Sequence, residues 1–234
     1  MNTYNAFEVN ELVYSWKPTS APILNIEKLS VKIGESLFIQ GNSGSGKSTL
    51  LNLLSGVLSP QKGKITLLDQ PFSSLGSSAR DQFRADHIGY IFQQFNLLPY
   101  LSVIDNVLLP VKLSALRRNA TSKNSPALIE EAKHWLDQLK VPSHLFNETV
   151  SRLSIGQQQR VAAARAIIGS PEIIIADEPT SALDHDNVHN FMEVLVNQCQ
   201  SIKSSLIFVS HDTRLSSYFD HVYSLNKTTT GDSL

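Results

Sequence analysis

A glycine-rich segment, residues 41–49 with the sequence GNSGSGKST, contains the residues best suited to bind phosphate. It matches the phosphate-loop pattern GxxxxGK[ST] in full. Glycines let the backbone wrap closely around phosphate groups, so that successive N–H groups and a helix N-terminus face the negative charge. Lys47 would reach the β and γ phosphates, and the Ser48 hydroxyl would bind Mg²⁺. The residues that we expect to bind the phosphates are Gly41, Asn42, Ser43, Gly44, Ser45, Gly46, Lys47, Ser48 and Thr49.

An acidic pair, Asp177 and Glu178, follows the apolar run 173–176. In a parallel sheet this run would be a strand, and its carboxyl end would lie beside the phosphate loop. Asp177 would then bind Mg²⁺ through water, and Glu178 would polarise the attacking water as general base. The sequence therefore predicts the metal-binding and catalytic carboxylates of a site that hydrolyses a nucleotide.

Two further polar residues come after apolar runs in the same way. His211 comes shortly after the run 206–209, at a strand end from which a side chain could reach the γ-phosphate. Gln93 comes after the run 88–92 and could bind Mg²⁺ or the attacking water, with Gln94 as the alternative. The candidate catalytic residues are therefore Glu178, His211 and Gln93, and the candidate metal ligands are Ser48, Gln93 and Asp177.

Strand and helix patterns alternate around these segments, which favours an α/β fold with a mostly parallel sheet. Period-two alternation or short apolar runs predict strands at 8–14, 29–33, 36–40, 64–68, 88–92, 172–176, 205–210 and 221–225. Apolar residues at helical spacing predict helices at 48–57, 127–139, 155–168 and 187–200. Helical patterns dominate residues 96–152, so we expect a helical subdomain inserted into the core there, with a polar connector at 119–125.

The bulk composition narrows the class of protein. The chain has 234 residues and is 41% hydrophobic, which is enough for one large domain with a core. Its 20 basic and 21 acidic residues give a net charge of −1, so no basic excess favours nucleic acid or anionic lipid. The N-terminus lacks the pattern of a signal peptide, and no run reaches the roughly 18 apolar residues of a spanning helix. We therefore expect any association with a membrane to come through a partner.

These motifs occur together and in order, and in this the chain resembles the ATP-binding subunits of ABC transporters. The phosphate loop corresponds to Walker A, residues 173–178 to Walker B, and Gln93 to the centre of the glutamine loop. Residues 153–157 (LSIGQ) are similar to the family's signature, and residues 181–184 (SALD) to its D-loop. His211 corresponds to the switch histidine. Residues 80–93 and 96–107 are similar to the lipoprotein-release and macrolide-efflux group.

The resemblance implies a P-loop NTPase core with a mostly parallel sheet, an N-terminal antiparallel β-subdomain and a helical subdomain inserted at about 96–153. Residues 1–234 would then form a single ATPase domain. It also implies a head-to-tail pair of subunits that sandwiches two ATP molecules with Mg²⁺. The signature residues expected to face the opposing nucleotide are Ser154, Gly156 and Gln157, and Asp184 would bridge the two halves.

The resemblance further implies an aromatic platform for adenine near the N-terminus. Trp16 has the family's spacing before Leu24, and a flat indole stacks well on a base. Tyr14, two residues earlier and on the same predicted strand face, is the alternative.

The signature departs from the family at Ile155, where glycine is usual. A β-branched residue restricts the backbone and adds bulk. The Ile155 side chain either points away from the nucleotide, which leaves the site intact, or weakens the composite site, as in an asymmetric heterodimer. The sequence leaves both interpretations open.

The partners implied by the resemblance are an integral membrane permease and a second ATPase subunit, a homodimer being expected and a heterodimer being the alternative. Residues 95–107 resemble the surface that receives the permease. No nucleic-acid partner is expected. The implied location is cytoplasmic, on the inner face of the membrane, and the work would be export or envelope handling of lipoprotein, drug or peptide. A soluble ABC-type ATPase with a non-transport partner is the alternative function.

Overall fold

The structure is a computed structural model that describes residues 4–17, 19–121, 125–183 and 185–225. The strands are β1 (Asn5–Tyr14), β2 (Leu24–Lys32), β3 (Ser36–Gln40), β4 (Lys62–Leu67), β5 (Ile88–Ile91), β6 (Ile173–Asp177), β7 (Ser205–Ser210) and β8 (His221–Ser224). The helices are α1 (Lys47–Leu54), α2 (Ser77–His87), α3 (Val103–Leu113), α4 (Ala115–Thr121), α5 (Ser125–Gln138), α6 (Ile155–Ile167) and α7 (His185–Ser201). Short 3₁₀ turns lie at Phe72–Ser74, Ser143–Leu145, Val150–Arg152 and Thr213–Tyr218.

A parallel sheet in the order β5-β6-β7-β3-β8 forms the centre of the fold. All six residues of β7 and the first four of β6 are buried. One face of the sheet packs against α6 and α7, and the other against α1 and the antiparallel sheet, so both faces need apolar residues. The strands run in register, so that Gln40 pairs with Ser210 and Asp177 with Val209. The polar residues that follow these strands therefore meet at one edge, and the predicted α/β fold with a mostly parallel sheet is confirmed.

An antiparallel sheet in the order β2-β1-β4 packs over the start of the core. Its strands alternate between buried and exposed residues, as expected for a sheet with one solvated face. Tyr14 pairs with Leu24, and the N–H of Ile23 donates to the Tyr14 carbonyl at 2.9 Å. This pairing brings the start of β2 and the end of β1 together. The antiparallel N-terminal sheet implied by the resemblance is therefore present.

Helices α3, α4 and α5 lie between β5 and α6 in the chain, as the helical pattern predicts. The apolar faces of α3 and α5 share one core with α6, to which Val107, Leu136 and Val161 belong. The polar connector predicted at 119–125 is wrong at its start, because α4 continues to Thr121. The subdomain bounds of about 96 and 153 stay a prediction.

Helix α2 was not predicted from the sequence. Only Phe83 of its residues is buried, so it lacks the apolar stripe that reveals an amphipathic helix. Within the described ranges, no helix is both long and apolar enough to span a bilayer.

Candidate functional site

The phosphate-loop segment forms a tight turn between β3 and α1. Gly46 lies at φ 99°, a left-handed conformation that side chains rarely adopt. A Cβ atom on Gly46 would lie 2.8 Å from Leu24 Cδ2, and one on Gly41 would lie 2.5 Å from Ser45 Oγ. The loop therefore needs glycine at both positions, and the antiparallel sheet packs directly against it. Ser45 is buried within the loop, and its hydroxyl has no hydrogen-bond partner.

Helix α1 begins at the end of this loop without a side-chain cap, since its N-cap residue is Gly46. The first N–H groups of a helix have no partner within the helix and carry its partial positive charge. They lie where the loop opens, which makes this terminus suited to an anion. Thr49 is buried in the first turn of α1, whereas Ser48 is exposed.

Lys47 folds back along the loop. Its Nζ donates to the carbonyls of Gly41 at 2.7 Å and Asn42 at 3.1 Å, and it lies 3.9 Å from Glu178 Oε1. Only 8% of Lys47 is exposed, so its charge acts in a poorly solvated environment. The ammonium is thus held at the mouth of the loop, between the backbone and a carboxylate.

The acidic pair lies at the end of β6. Burial, together with the neighbouring Glu178, raises the pKa of Asp177, while a hydrogen bond from Ser48 and the charge of Lys47 oppose that rise. Glu178 adopts φ 45°, and its N–H donates to the Val209 carbonyl at 2.9 Å. This turn of the backbone directs the Glu178 carboxylate towards Lys47.

His211 follows β7 and contacts the same carboxylate. Its Nδ1 lies 2.5 Å from Glu178 Oε2, and 66% of its side chain is exposed. The histidine, the carboxylate and the lysine therefore form a continuous polar contact across the ends of β6, β7 and the phosphate loop.

A cavity of about 570 Å³ opens at this edge of the sheet. Its wall includes the phosphate-loop residues Ser43, Gly44, Gly46, Lys47, Ser48 and Thr49, together with Ile23, Gln93, Glu178, Ser181 and His211. Asn42 lines an adjacent cavity of about 600 Å³ that His211 also contacts. Parallel-strand order thus brings most of the predicted catalytic and phosphate-binding residues to one place. Ile23 was not predicted, because an apolar residue before a strand carries no chemical signal.

The signature residues lie elsewhere. Ser154 is the N-cap of α6, and its Oγ accepts from the N–H of Gln157 at 3.3 Å. Gln157 Oε1 accepts in return from the N–H of Ser154 at 2.9 Å, which completes a capping box. Among the described residues, those that line the 570 Å³ cavity include none of Ser154, Ile155, Gly156 or Gln157. The predicted site is therefore divided between two places on this chain.

The predicted adenine platform lies just beyond the end of β1 rather than on the strand. Trp16 is 60% exposed and packs edge-on against Tyr14, with ring centroids 5.5 Å apart. Tyr14 is only 8% exposed. Of the two aromatic rings, Trp16 is the one free to stack on a ligand. The predicted bridging residue Asp184 lies outside the described residues.

The predicted metal ligands suit Mg²⁺ by their chemistry. The oxygen donors Ser48, Gln93 and Asp177 are hard ligands, and Ser48 lies close enough to Asp177 to favour its carboxylate and so lower its pKa. The described residues contain no cluster of three or more His, Cys, Asp or Glu side chains able to hold a metal. Mg²⁺ commonly binds to one or two protein groups and to substrate phosphates, so such a small donor set fits this ion.

Comparison with known proteins gives consistent matches. The profile of the family described as ABC transporter matches residues 24–181. The chain is 36% identical over 201 residues to the ABC transporter ATP-binding protein YtrE of Bacillus subtilis (strain 168), covering 86% of this chain and 84% of that protein. It is 34% identical over 206 residues to the lipoprotein-releasing system ATP-binding protein LolD of Hydrogenovibrio crunogenus, covering 88% and 86%.

Two solved structures of one protein, MJ0796, have the same fold. The chain matches the dimeric structure of this bacterial ABC transporter cassette with a TM-score of 0.84 and 30% identity, covering 94% of each chain. It matches a dimeric post-hydrolysis state bound to ADP and Pi with a TM-score of 0.82 and 29% identity, covering 95% of this chain and 96% of that one.

Proposed function

The chain belongs to the ABC transporter family, and from this membership we propose that it is the ATPase subunit of a transporter that a membrane permease completes. It is an ATP-binding cassette and an ATPase. The observation that carries the assignment of its site is the convergence of Lys47, Glu178 and His211 on one cavity at the phosphate loop.

Each residue at the cavity then has a role in hydrolysis. The N–H groups of the loop and of α1 bind the phosphates, and Lys47 neutralises charge on the β and γ groups. Glu178 accepts the proton of the attacking water. His211 Nδ1 lies 2.5 Å from the Glu178 carboxylate; His211 holds that carboxylate in place and contacts the γ-phosphate. Trp16 stacks on the adenine, and its 60% exposure supports this role.

Mg²⁺ would be held by Ser48, Gln93 and Asp177 together with the nucleotide phosphates. Bound there, the ion would neutralise charge between the β and γ phosphates. Burial and the charge of Glu178 raise the pKa of Asp177, and Ser48 and Lys47 limit that rise by favouring the carboxylate. These residues thus supply oxygen ligands without a closed cage of carboxylates.

A second subunit would supply the signature residues, which the cavity of a single chain lacks. The N-terminus of α6, with Ser154 and Gly156, is a second anion-binding terminus that lies outside the cavity of its own chain. A head-to-tail pair would bring it to the γ-phosphate of the opposite chain, with Asp184 between the two halves. The dimeric MJ0796 structures support a symmetric pair of this kind.

The permease would dock beside the glutamine loop, on an exposed apolar surface formed by Tyr100, Leu113 and Leu116. Their exposed fractions are 73%, 76% and 48%. A cavity of about 300 Å³ adjoins Leu113 and is also lined by Tyr90 and Pro110. Within the predicted docking segment 95–107, Tyr100 is exposed but Phe95, Val103 and Val107 are buried, so the surface extends further along α3 and α4 than that segment. Tyr100 lies just before α3 and Leu113 at its end, so these exposed apolar side chains flank the helix, and such side chains are candidates for a protein interface.

The finer proposal is a transporter of the lipoprotein-release or macrolide-efflux group, with export or envelope work and a location on the cytoplasmic face of the membrane, and the relatives named LolD support its lipoprotein-release part. LolD of Hydrogenovibrio crunogenus is named as the ATP-binding protein of a lipoprotein-releasing system. A soluble ABC-type ATPase is the alternative. The relatives named as ATP-binding proteins of transporters and of lipoprotein-releasing systems favour the transporter.

The assignment of the site is tested by Lys47→Ala. Loss of the charge that faces the β and γ phosphates should lower ATPase activity by about a hundredfold or more. Lys64→Ala is the matched control, since Lys64 is an exposed lysine on β4. Steady-state phosphate release measures both. Hydrolysis at the normal rate by Lys47→Ala would overturn the assignment of the phosphate site.

The transporter assignment is tested by affinity capture of the tagged chain from detergent-solubilised membranes of its source. An integral membrane protein should be recovered, and Leu113→Asp should lose it while keeping the unfolding temperature, because Leu113 is 76% exposed. Recovery of non-membrane proteins only, unaffected by Leu113→Asp, would favour the soluble alternative instead.

A further inference from the structure

The turn that carries Gln93 has an unusual backbone. Phe95 and Asn96 both adopt left-handed conformations, with φ 59° and 47°. The N–H of Phe95 donates to Phe92 O at 2.9 Å, and that of Asn96 donates to Gln94 O at 2.6 Å. Asparagine tolerates this conformation, but a bulky phenylalanine rarely adopts it. Such a strained turn persists only where surrounding groups hold it.

The group that holds this turn is the guanidinium of Arg165, in the last turn of α6. Its Nη1 donates to Asn96 O at 2.7 Å and its Nη2 donates to Phe95 O at 2.5 Å. A planar guanidinium presents two parallel N–H donors, so it can bind two successive carbonyls at once. The two carbonyls it binds are those of the two left-handed residues.

The Arg165 side chain is buried at this contact. It is only 9% exposed, and burial lowers its pKa to about 10. Among the described residues, no carboxylate forms an ion pair with it, so the buried charge is solvated by backbone carbonyls. A buried cation left without such partners is costly, and the contact is therefore specific.

Helix α6 joins this contact to the signature residues. Ser154 caps its N-terminus, and Arg165 lies 11 positions further on, which corresponds to about 16 Å of helix. Beside Arg165, α6 packs tightly on β5, because a Cβ atom on Gly89 would lie 2.2 Å from Ala166 O. A shift of this rigid helix against β5 would displace the Arg165 guanidinium and, with it, the turn that it binds.

We propose that Arg165 is a positioning residue that couples the glutamine loop to the signature helix. Through Arg165, the position of α6 determines where Gln93 lies in the composite site that holds this chain's nucleotide. The N-terminus of the same helix serves the second composite site, which holds the partner chain's nucleotide. This inference rests on the proposed function, in which Gln93 binds Mg²⁺ and Ser154 faces the opposing nucleotide. Arg165 itself contacts neither the nucleotide nor the metal.

The test compares Arg165→Gln with Arg160→Gln in the full chain. Arg160 is the matched control, because it lies on the same helix and also donates to a backbone carbonyl, that of Leu139 at 2.8 Å. Arg165→Gln should lower kcat by about tenfold or more, with KM for ATP changed less than about threefold. It should also raise the Mg²⁺ concentration that gives half-maximal activity. Arg165→Lys keeps the positive charge but lacks the two parallel N–H donors of the guanidinium, so it should recover only part of the rate.

Hydrogen exchange provides a readout independent of catalysis. In Arg165→Gln the amides of residues 92–98 should exchange at least about tenfold faster, whereas in Arg160→Gln they should not. If Arg165→Gln matches Arg160→Gln in kcat, Mg²⁺ dependence and exchange, the coupling is wrong while the proposed function stands. If the wild-type chain fails to hydrolyse ATP, the proposed function fails, and exchange still reports on the contact between Arg165 and the turn.

Discussion

Glu178 shows how a single residue at the site departs from ordinary backbone geometry. Its left-handed conformation, at φ 45°, costs about 1–3 kcal/mol for a residue other than glycine. The N–H of Glu178 nevertheless donates to Val209 O, so the turn is fixed by the register of β6 against β7. The strain places one carboxylate between Lys47 and His211, and no relaxed continuation of the strand would do so.

Ile155 is the signature residue that departs from the family, and the structure favours the interpretation that leaves the site intact. It occupies the first position of α6 and is 54% exposed, while the Ser154–Gln157 capping box forms around it. We therefore expect Ile155→Gly to change ATPase activity less than about threefold, and to lower the free energy of unfolding by about 0.5 kcal/mol through helix propensity.

Steady-state ATPase assays and urea unfolding measure the two effects of Ile155→Gly. Ile155→Ala is the control, since it removes the side chain without the freedom of glycine. A rise in rate of tenfold or more with glycine, absent with alanine, would show that the branched residue weakens the composite site.

The pattern of apolar residues determined which helices and strands could be predicted from the sequence. Strands β3 and β7 match their predicted bounds, because each is a continuous apolar run ended by polar residues. Helix α2 was not predicted, and α4 was predicted only as part of the helical region 96–152 without bounds of its own, since neither presents an apolar stripe. Arg117 is the buried residue of α4, and its position depends on the carbonyl of Asp86, which is distant in sequence. Tertiary contacts of this kind have no local signal.

The same distinction applies to the site. Motif spacing predicted Lys47, Glu178 and His211, and parallel-strand order was enough to expect them at one edge. Arg165 was not predicted, because its partners are carbonyls some 70 positions earlier in the chain. The capping box was also missed, although Ser154 and Gln157 have its spacing. Its formation limits Gln157 to offering its amide N–H groups, while the Ser154 hydroxyl can still donate to a phosphate.

The whole molecule presents two anion-binding helix termini that serve different places. The N-terminus of α1 opens on the cavity with Lys47, and that of α6 does not line it. A two-fold pair of chains would satisfy both termini at once, since α1 would meet the nucleotide of its own chain and α6 that of the other chain. The net charge of −1 adds little repulsion between two copies. Assembly should therefore depend on the nucleotide that joins the two surfaces.

Glu178→Gln tests that dependence. Glutamine keeps the shape of the side chain but removes the charge that would face the γ-phosphate and the group that accepts the proton from water. Hydrolysis should fall by about a hundredfold or more, so that ATP persists between the two chains and keeps them together. In the presence of MgATP the variant should elute as a dimer by size-exclusion chromatography with light scattering, and without nucleotide as a monomer.

The matched control is the double variant Lys47→Ala with Glu178→Gln, which should stay monomeric because the phosphates lose their main cation. ADP in place of ATP should also leave Glu178→Gln monomeric, since no γ-phosphate then reaches the N-terminus of α6. A Glu178→Gln chain that stays monomeric at saturating MgATP would contradict the head-to-tail pair. If Glu178→Gln dimerised equally well with ADP and with ATP, that result would contradict the contact between α6 and the γ-phosphate. Only the phosphate loop would then be supported as a nucleotide-binding site.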